Sequence, residues 1–236
     1  MIDPREWEGK VYVGDCLEFL RELPDGCVDA VVTDPPYGVG LKCAEGTPPD
    51  DEYPLNALRE CLRVSHGPVL AFGAASVRCL EAALSLKPDR MLVWHPSFTL
   101  SKTSSNGMFW RWHPLWAWRL PKKQDALWSD VLTDNCDGHN WWNHPATKPE
   151  SLMAKVVDAT EGSILDPFLG SGTTAVVCER LGRRWIGCEI NPEYVAIAEK
   201  RIERERQNRP LPLVSSAASG TRTGRGGNGE ATGSLW

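Results

Sequence analysis

Short apolar runs alternate with helical segments along most of the chain, and this alternation constrains the fold more than any other feature. Residues 28–33, 69–72 and 163–166 have the length and composition of buried strands. Residues 55–64, between the first two runs, carry apolar side chains at helical spacing. The repeated strand–helix–strand pattern predicts an α/β fold with a mostly parallel sheet and helices on both faces.

A polar motif, Asp34-Pro35-Pro36-Tyr37-Gly38, directly follows the first of these strands. Residues just past the carboxyl end of a strand line the crevice where open α/β sheets bind ligands. The prolines lack an N–H, so the backbone offers carbonyl oxygens without competing donors. A carboxylate, a carbonyl and an aromatic ring suit a planar group with an exocyclic NH₂. An ordinary tight turn leaving a strand fits the same residues equally well.

A glycine-rich turn follows the strand at 163–166. Gly170 and Gly172 would let a ligand approach the backbone, and Glu189, about twenty residues further on, has the spacing of a ribose-binding acid. The turn lacks the third glycine of a dinucleotide site and the lysine of a P-loop. A nucleoside without phosphate, such as S-adenosylmethionine, is therefore favoured, its amino-acid end held by the turn and Asp166. A purely structural turn is the alternative.

The net charge of −5 argues against a protein that coats nucleic acid, but the charge is unevenly distributed. Residues 97–124 contain no Asp or Glu, and eight of the eleven tryptophans lie between Trp94 and Trp142. Aromatic rings interleaved with basic side chains are typical of a nucleic-acid face, whereas about half of these tryptophans would simply pack in the core. The predicted DNA-binding residues are Lys102, Arg111, Arg119, Lys122 and Lys123.

Composition limits the remaining possibilities. The first ten residues are polar, and no apolar stretch approaches the roughly 20 residues that span a bilayer, so a soluble, cytoplasmic protein without a membrane partner is expected. Cys136, His139 and His144 lie close together, but no fourth ligand is evident and no metal is predicted. Residues 208–236 are rich in Gly, Ser, Thr and Arg and are expected to form a disordered tail.

Four motifs in a fixed order resemble those of the β-class amino DNA methyltransferases, the DPPY family. They are the segment 34–37, the motif His144-Pro145-Ala146-Thr147-Lys148-Pro149, the segment 166–174, and the strand end Ile186-Gly187-Cys188-Glu189. The resemblance implies a Rossmann-like S-adenosylmethionine-dependent methyltransferase fold with a mostly parallel seven-stranded sheet and a circularly permuted motif order. It also implies a catalytic domain at 1–207, with a target-recognition insertion at about 96–143.

The resemblance assigns roles to individual residues. Asp34, Pro35, Pro36 and Tyr37 would hold a flipped base for direct methyl transfer. The implied cofactor-binding residues are Asp15, Cys16, Lys148, Ser151, Asp166, Pro167, Phe168, Gly170, Ser171, Gly172, Thr173, Glu189 and Ile190.

The implied substrate is double-stranded DNA, and Asp at the first motif position favours N6 of adenine over N4 of cytosine. A non-catalytic DNA-binding relative and an enzyme that methylates a protein amide are the alternatives. A cognate restriction endonuclease and a homodimer are compatible with this family.

Overall fold

The computed structural model describes residues 3–36, 52–96, 112–120, 129–134 and 147–208. Within these ranges the chain forms one eight-stranded sheet flanked by helices. The strands are β1 (Val11–Val13), β2 (Ala30–Thr33), β3 (Val69–Phe72), β4 (Arg90–Pro96), β5 (His113–Trp118), β6 (Val131–Asp134), β7 (Ile164–Asp166) and β8 (Trp185–Glu189). The α-helices are α1 (Cys16–Glu22), α2 (Glu52–Val64), α3 (Val77–Ser85), α4 (Glu150–Asp158), α5 (Thr173–Leu181) and α6 (Pro192–Asn208).

The order of strands in the sheet is β1-β8-β7-β2-β3-β5-β4-β6. β5 pairs antiparallel with β3 and β4, and every other pair is parallel. The chain passes from β2 to β3 on one side and from β7 to β8 on the other. The order therefore reverses between β2 and β7, which is where open α/β sheets form their ligand crevice.

Helices cover both faces of the sheet. Side chains alternate along a strand, so Val31 packs with α1 and α2, whereas Val32 packs with α4, α5 and α6. All four residues of β2 are buried, as expected of a central parallel strand. The predicted α/β class, the mostly parallel sheet and the two helical layers are confirmed.

The predicted number of strands is wrong, since the sheet has eight strands rather than seven. The additional strand, β6, has four residues and pairs parallel with β4 at the edge of the sheet. Its burial alternates between exposed and buried, and so short a run inside the tryptophan-rich interval gives little periodic signal.

Some element boundaries also differ from the sequence-based ones. α2 begins three residues earlier than expected and accommodates Pro54 in its first turn, where a missing N–H costs nothing. Among the described helices, none is long and apolar enough to cross a membrane. Residues 209–236 lie outside the described ranges, so the disordered tail stays a prediction.

Candidate active site

Acidic side chains lie at the carboxyl ends of four neighbouring strands. β1, β8, β7 and β2 are parallel, so these ends meet at one edge of the sheet. In sheet order the acids are Asp15, Glu189, Asp166 and Asp34. The structure thus brings together Asp15 and three acids that the sequence places in three separate motifs.

Asp166 links the two central strands at this edge. Its carboxylate accepts hydrogen bonds from Thr33 Oγ1 at 2.9 Å, from the Phe168 amide at 3.1 Å and from Thr174 Oγ1 at 2.6 Å. Burial raises the pKa of Asp166 to about 6, and the charge of Asp34 acts in the same direction. Since both carboxylate oxygens already bind protein groups, the observed contacts of Asp166 position the end of β2 and the start of the glycine-rich turn.

Asp34 forms an ion pair with Lys148, which directly precedes Pro149 and α4. The Lys148 side chain is only 9% exposed, and its ammonium lies 5.0 Å from the centre of the Phe72 ring. An ammonium over an aromatic face is attracted by the negative potential of the ring. The carboxylate of the motif therefore lies beside a buried cation at the reversal point of the sheet.

A pair of stacked aromatic rings lies close to the Lys148 ammonium. The rings of Trp94 and His113 stack with centroids 4.8 Å apart, and Trp94 meets Phe72 edge to face at 6.4 Å. Burial, with a smaller contribution from the Lys148 charge, lowers the pKa of His113 to about 4. His113 is therefore neutral near pH 7.

The glycine-rich turn has the conformation that its sequence predicts. Gly170 and Gly172 have φ of 54° and 84°, which side chains with a Cβ rarely adopt. A Cβ at Gly172 would lie 2.8 Å from Ala198 Cβ in α6, whereas a Cβ at Gly170 would meet no atom within 4 Å. Gly172 is required for close packing, and Gly170 faces open space at the edge of the sheet.

Two side chains hold this turn. Glu189 accepts the Gly170 amide at 2.7 Å through Oε2 and the Asn191 amide at 2.8 Å through Oε1. Arg201 of α6 donates to the Ser171 carbonyl at 2.7 Å and to Thr173 Oγ1 at 3.1 Å. Sequence reasoning missed Arg201, because only the packing of α6 against α5 brings it to the turn.

The end of β1 is fixed by Asp15, which caps α1. Its carboxylate accepts the Leu17 amide at 2.8 Å and the Tyr53 hydroxyl at 2.7 Å. Cys16 Sγ lies 3.3 Å from the same hydroxyl, and burial raises the pKa of its thiol to about 12. Tyr53 also meets Phe168 edge to face at 6.3 Å. No sequence motif marks Tyr53, which nevertheless contacts three predicted cofactor residues.

Comparisons with known proteins agree with this geometry. A family model described as DNA methylase, of the N6/N4 type, matches residues 102–200. The Escherichia coli (strain K12) protein named "Putative methylase YubD" is 30% identical over 203 residues, which cover 80% of this chain and 88% of that protein. The chain belongs to the amino DNA methyltransferases of the N6/N4 type. Other relatives are named type II methyltransferases.

Solved methyltransferases share the fold. M1.HpyAVI, crystallised with S-adenosylmethionine, has a TM-score of 0.60 and 25% identity over 81% of this chain and 98% of its own. The cytosine-N4-specific PvuII DNA methyltransferase has a TM-score of 0.65 and 22% identity over 85% of this chain and 90% of its own. The family is S-adenosylmethionine-dependent, so the predicted family and cofactor are both confirmed.

Two of the remaining predicted cofactor residues of this methyltransferase lie at the same edge. Pro167 is buried and Ile190 half-buried beside the acids that precede them. Ser151 lies further away along α4, where its hydroxyl donates to Asp134 Oδ1 at 2.7 Å. Lys148 forms its ion pair with Asp34.

The structure places Arg119, one of the predicted DNA-binding residues, away from the motif at Asp34. β5 runs antiparallel to β3, so Arg119 follows β5 at the opposite edge of the sheet from Asp34. Its guanidinium donates to the backbone carbonyls of Ser65 and, at 2.5 Å, of Leu62, next to the end of α2. Cations are favourable at a helix carboxyl end, so Arg119 has a structural role there.

Several predicted residues lie outside the described ranges. They are Tyr37, Lys102, Arg111, Lys122, Lys123, Cys136, His139 and His144. Among the residues that are described, no group of three or more His, Cys, Asp or Glu side chains could hold a metal ion. The assignments to these eight positions stay predictions.

Proposed function

We propose that this methyltransferase transfers a methyl group from S-adenosylmethionine to N6 of adenine within a specific DNA sequence. The observation that carries the proposal is the position of Asp34, one strand away from the glycine-rich turn. Thr33 Oγ1 donates to Asp166 at 2.9 Å, so the motif and the turn are held together as one site. A carboxylate fixed there can accept a hydrogen bond from an exocyclic amino group.

Residues along this edge fit the cofactor. Gly170 leaves open space beside the backbone, and the Glu189 carboxylate can take both ribose hydroxyls while it also accepts the Gly170 amide. Phe168 offers an apolar ring, and Asp15, at the end of β1, would contact the adenine ring. When bound, S-adenosylmethionine supplies a methyl group activated on a sulfonium.

Asp34 and Pro35 act on the target base in this proposal. The base is flipped out of the duplex at a cost of a few kcal/mol, which stacking on Tyr37 helps to offset. The Asp34 carboxylate and the Pro35 carbonyl accept hydrogen bonds from the amino group and stabilise the positive charge that develops on its nitrogen. The nitrogen lone pair would form the bond to the methyl group as the sulfur–methyl bond breaks and its electron pair returns to sulfur, and the nitrogen would then release a proton to solvent.

The four buried cysteines among the described residues do not suggest a covalent route. Burial raises the pKa values of Cys16 and Cys178 to about 12, and it also raises those of Cys61 and Cys188. A thiol that stays protonated near pH 7 is a poor nucleophile. This chemistry supports transfer to an amino nitrogen rather than to a ring carbon of cytosine.

Recognition of double-stranded DNA is assigned to the insertion at about 96–143 within a catalytic domain at 1–207. Lys102, Arg111, Lys122 and Lys123 would neutralise phosphates, so DNA affinity should fall steeply with salt. The pairing with a restriction endonuclease and the homodimer belong to the same proposal, and the type II names of relatives support the first.

The second candidate is methylation of N4 of cytosine by the same residues. The cytosine-N4-specific PvuII enzyme shares the fold, and the Asp34 carboxylate could accept a hydrogen bond from either amino group. Adenine is preferred because Asp34 occupies the first position of the motif.

The deciding experiment is methyl transfer from labelled S-adenosylmethionine to unmethylated DNA, followed by nucleoside mass spectrometry. We expect label in N6-methyladenine, whereas label in N4-methylcytosine would establish the second candidate. Asp34→Ala should abolish transfer and leave cofactor binding nearly intact, because the carboxylate acts on the base. Equal loss of both would contradict the role of Asp34.

A further inference from the structure

Lys148 belongs to a motif whose family resemblance implies closure over the methionine end of the cofactor. The structure brings its ammonium to the Asp34 carboxylate, 114 positions earlier in the chain. The two side chains are 9% and 23% exposed. The attraction between two charges so shielded from water is screened less than between charges at the surface.

The surroundings of Lys148 determine where its ammonium lies. The Phe72 ring supports the ammonium from β3 at 5.0 Å. Pro149 stiffens the backbone and leads directly into α4, and Thr147 Oγ1 lies 3.4 Å from Ser171 Oγ in the glycine-rich turn. Lys148 is therefore placed by one rigid segment, next to both the turn and the motif.

We propose that Lys148 is a positioning residue for Asp34, holding the carboxylate ionised and oriented toward the amino group of the target base. This inference rests on the proposed function, because it concerns the same carboxylate. A carboxylate has about four acceptor positions, so pairing with Lys148 at Oδ2 is compatible with a hydrogen bond to the base.

Charge at the edge of the sheet explains why a cation is useful here. Asp34 and Asp166 end neighbouring strands, and repulsion from the Asp34 charge contributes to the raised pKa of Asp166. Lys148 faces Asp34 from the start of α4 and offsets this repulsion. The third titratable group nearby is His113 on β5, which is neutral near pH 7 because its pKa lies at about 4.

The test compares Lys148→Met with Lys148→Arg, which keeps the charge, and with Lys200→Met, a matched control at an exposed lysine of α6. Cofactor affinity is measured by calorimetry, and single-turnover methyl transfer to DNA is followed between about pH 5.5 and 9. Thermal unfolding verifies that each variant is folded. Lys148→Gln replaces the methionine variant if that one does not fold.

We expect Lys148→Met to slow transfer on the order of 100-fold and to leave cofactor affinity within about threefold, because a preorganised electrostatic contact is lost. The acid limb of its rate profile should move to higher pH. Lys148→Arg should recover most of the rate, and Lys200→Met should match the wild type.

Two results would overturn the inference while the proposed function stands. One is a Lys148→Met enzyme with unchanged rate and acid limb. The other is a loss of cofactor affinity that accounts for the whole loss of rate, which would return Lys148 to the methionine end. A wild-type protein that binds the cofactor and methylates no DNA would instead overturn the proposed function, and with it this inference.

Discussion

Thr33 Oγ1 donates a hydrogen bond of 2.9 Å to Asp166 Oδ1, joining the last residues of β2 and β7. Asp34 directly follows the first of these residues, and the glycine-rich turn follows the second. Thr33 is completely buried, and Asp166 is 4% exposed. The bond therefore lies beneath the active site and sets the position of Asp34 relative to the turn.

Replacing Thr33 with valine tests this link. The substitution keeps the shape of the side chain but leaves Asp166 Oδ1 with the Phe168 amide as its one observed donor, while Thr174 Oγ1 still donates to Oδ2. We expect a loss of about 1–3 kcal/mol in the free energy of unfolding. Methyl transfer should slow about tenfold, because Asp34 loses its alignment. Urea denaturation and single-turnover kinetics measure the two effects.

A matched control distinguishes the effect of the position of Thr33 from the effect of losing a buried hydroxyl group. Thr160, after α4, is 2% exposed, and its hydroxyl donates to the Val157 carbonyl at 2.8 Å. Thr160→Val should also lower stability but leave the transfer rate unchanged, since it lies far from Asp34 in the fold. Thr33→Ser should restore most of the activity. Equal rates in the two valine variants would refute the role of Thr33.

The parts of the site that sequence could predict are those set by local structure. The motif after β2, the glycine-rich turn after β7 and Glu189 after β8 each follow an apolar run, and the polarity pattern shows where such a run ends. Tyr53, Arg201 and the partner of Lys148 could not be predicted in this way, because their contacts depend on how distant helices pack. The position of Arg119 at the opposite edge from Asp34 could not be predicted either, because charge along the sequence does not tell which edge of the sheet a residue reaches.

Replacing each of the two glycines of the turn with alanine should lower the stability of the protein to a different extent. Gly172→Ala should cost about 2–4 kcal/mol of stability, since strain at positive φ adds to the contact with Ala198 in α6. In Gly170→Ala the added methyl group faces open space, so the substitution should cost only about 1 kcal/mol of stability.

Cofactor binding should show the reverse order of effects among folded molecules. The methyl group at Gly170 enters the space beside the turn, so S-adenosylmethionine affinity should fall by at least about tenfold, which corresponds to about 1.4 kcal/mol. Calorimetry on both variants, below their melting temperatures, gives the comparison. Tight binding by Gly170→Ala would place the cofactor elsewhere.

Arg119→Met should destabilise the protein without weakening DNA binding. Its guanidinium donates to two carbonyls beside the end of α2, and losing these contacts should cost about 1–3 kcal/mol. The dissociation constant for DNA and its salt dependence should stay at the wild-type values. Both are measured by fluorescence anisotropy over a range of salt concentrations.

The double variant Lys122→Met/Lys123→Met provides the contrast. It should weaken DNA binding and reduce the slope of log affinity against log salt by about 2, because two phosphate contacts are removed. Equal changes in slope for Arg119→Met and the double variant would restore Arg119 to the DNA face.

His113 makes stability depend on pH in a defined direction. Its pKa falls from about 6.5 to about 4 on folding, so the folded protein disfavours the protonated ring. The stability that the neutral ring contributes is complete above about pH 6.5 and is lost as the pH falls toward 4. The loss is at most about 3.5 kcal/mol, because the pKa falls by about 2.5 and each pKa unit corresponds to about 1.4 kcal/mol.

Asp166 changes the pH dependence of stability in the opposite direction over nearly the same pH range. Burial raises its pKa from 3.8 to about 6, so the free energy of unfolding falls as the pH rises between these values. His113→Phe keeps an aromatic ring against Trp94 and removes only the histidine contribution. Relative to wild type, the variant should therefore gain about 1–3 kcal/mol when the pH falls from about 7 to about 4.5, as measured by urea denaturation. If plots of unfolding free energy against pH were parallel for His113→Phe and wild type, His113 would have the same pKa in the folded and unfolded states.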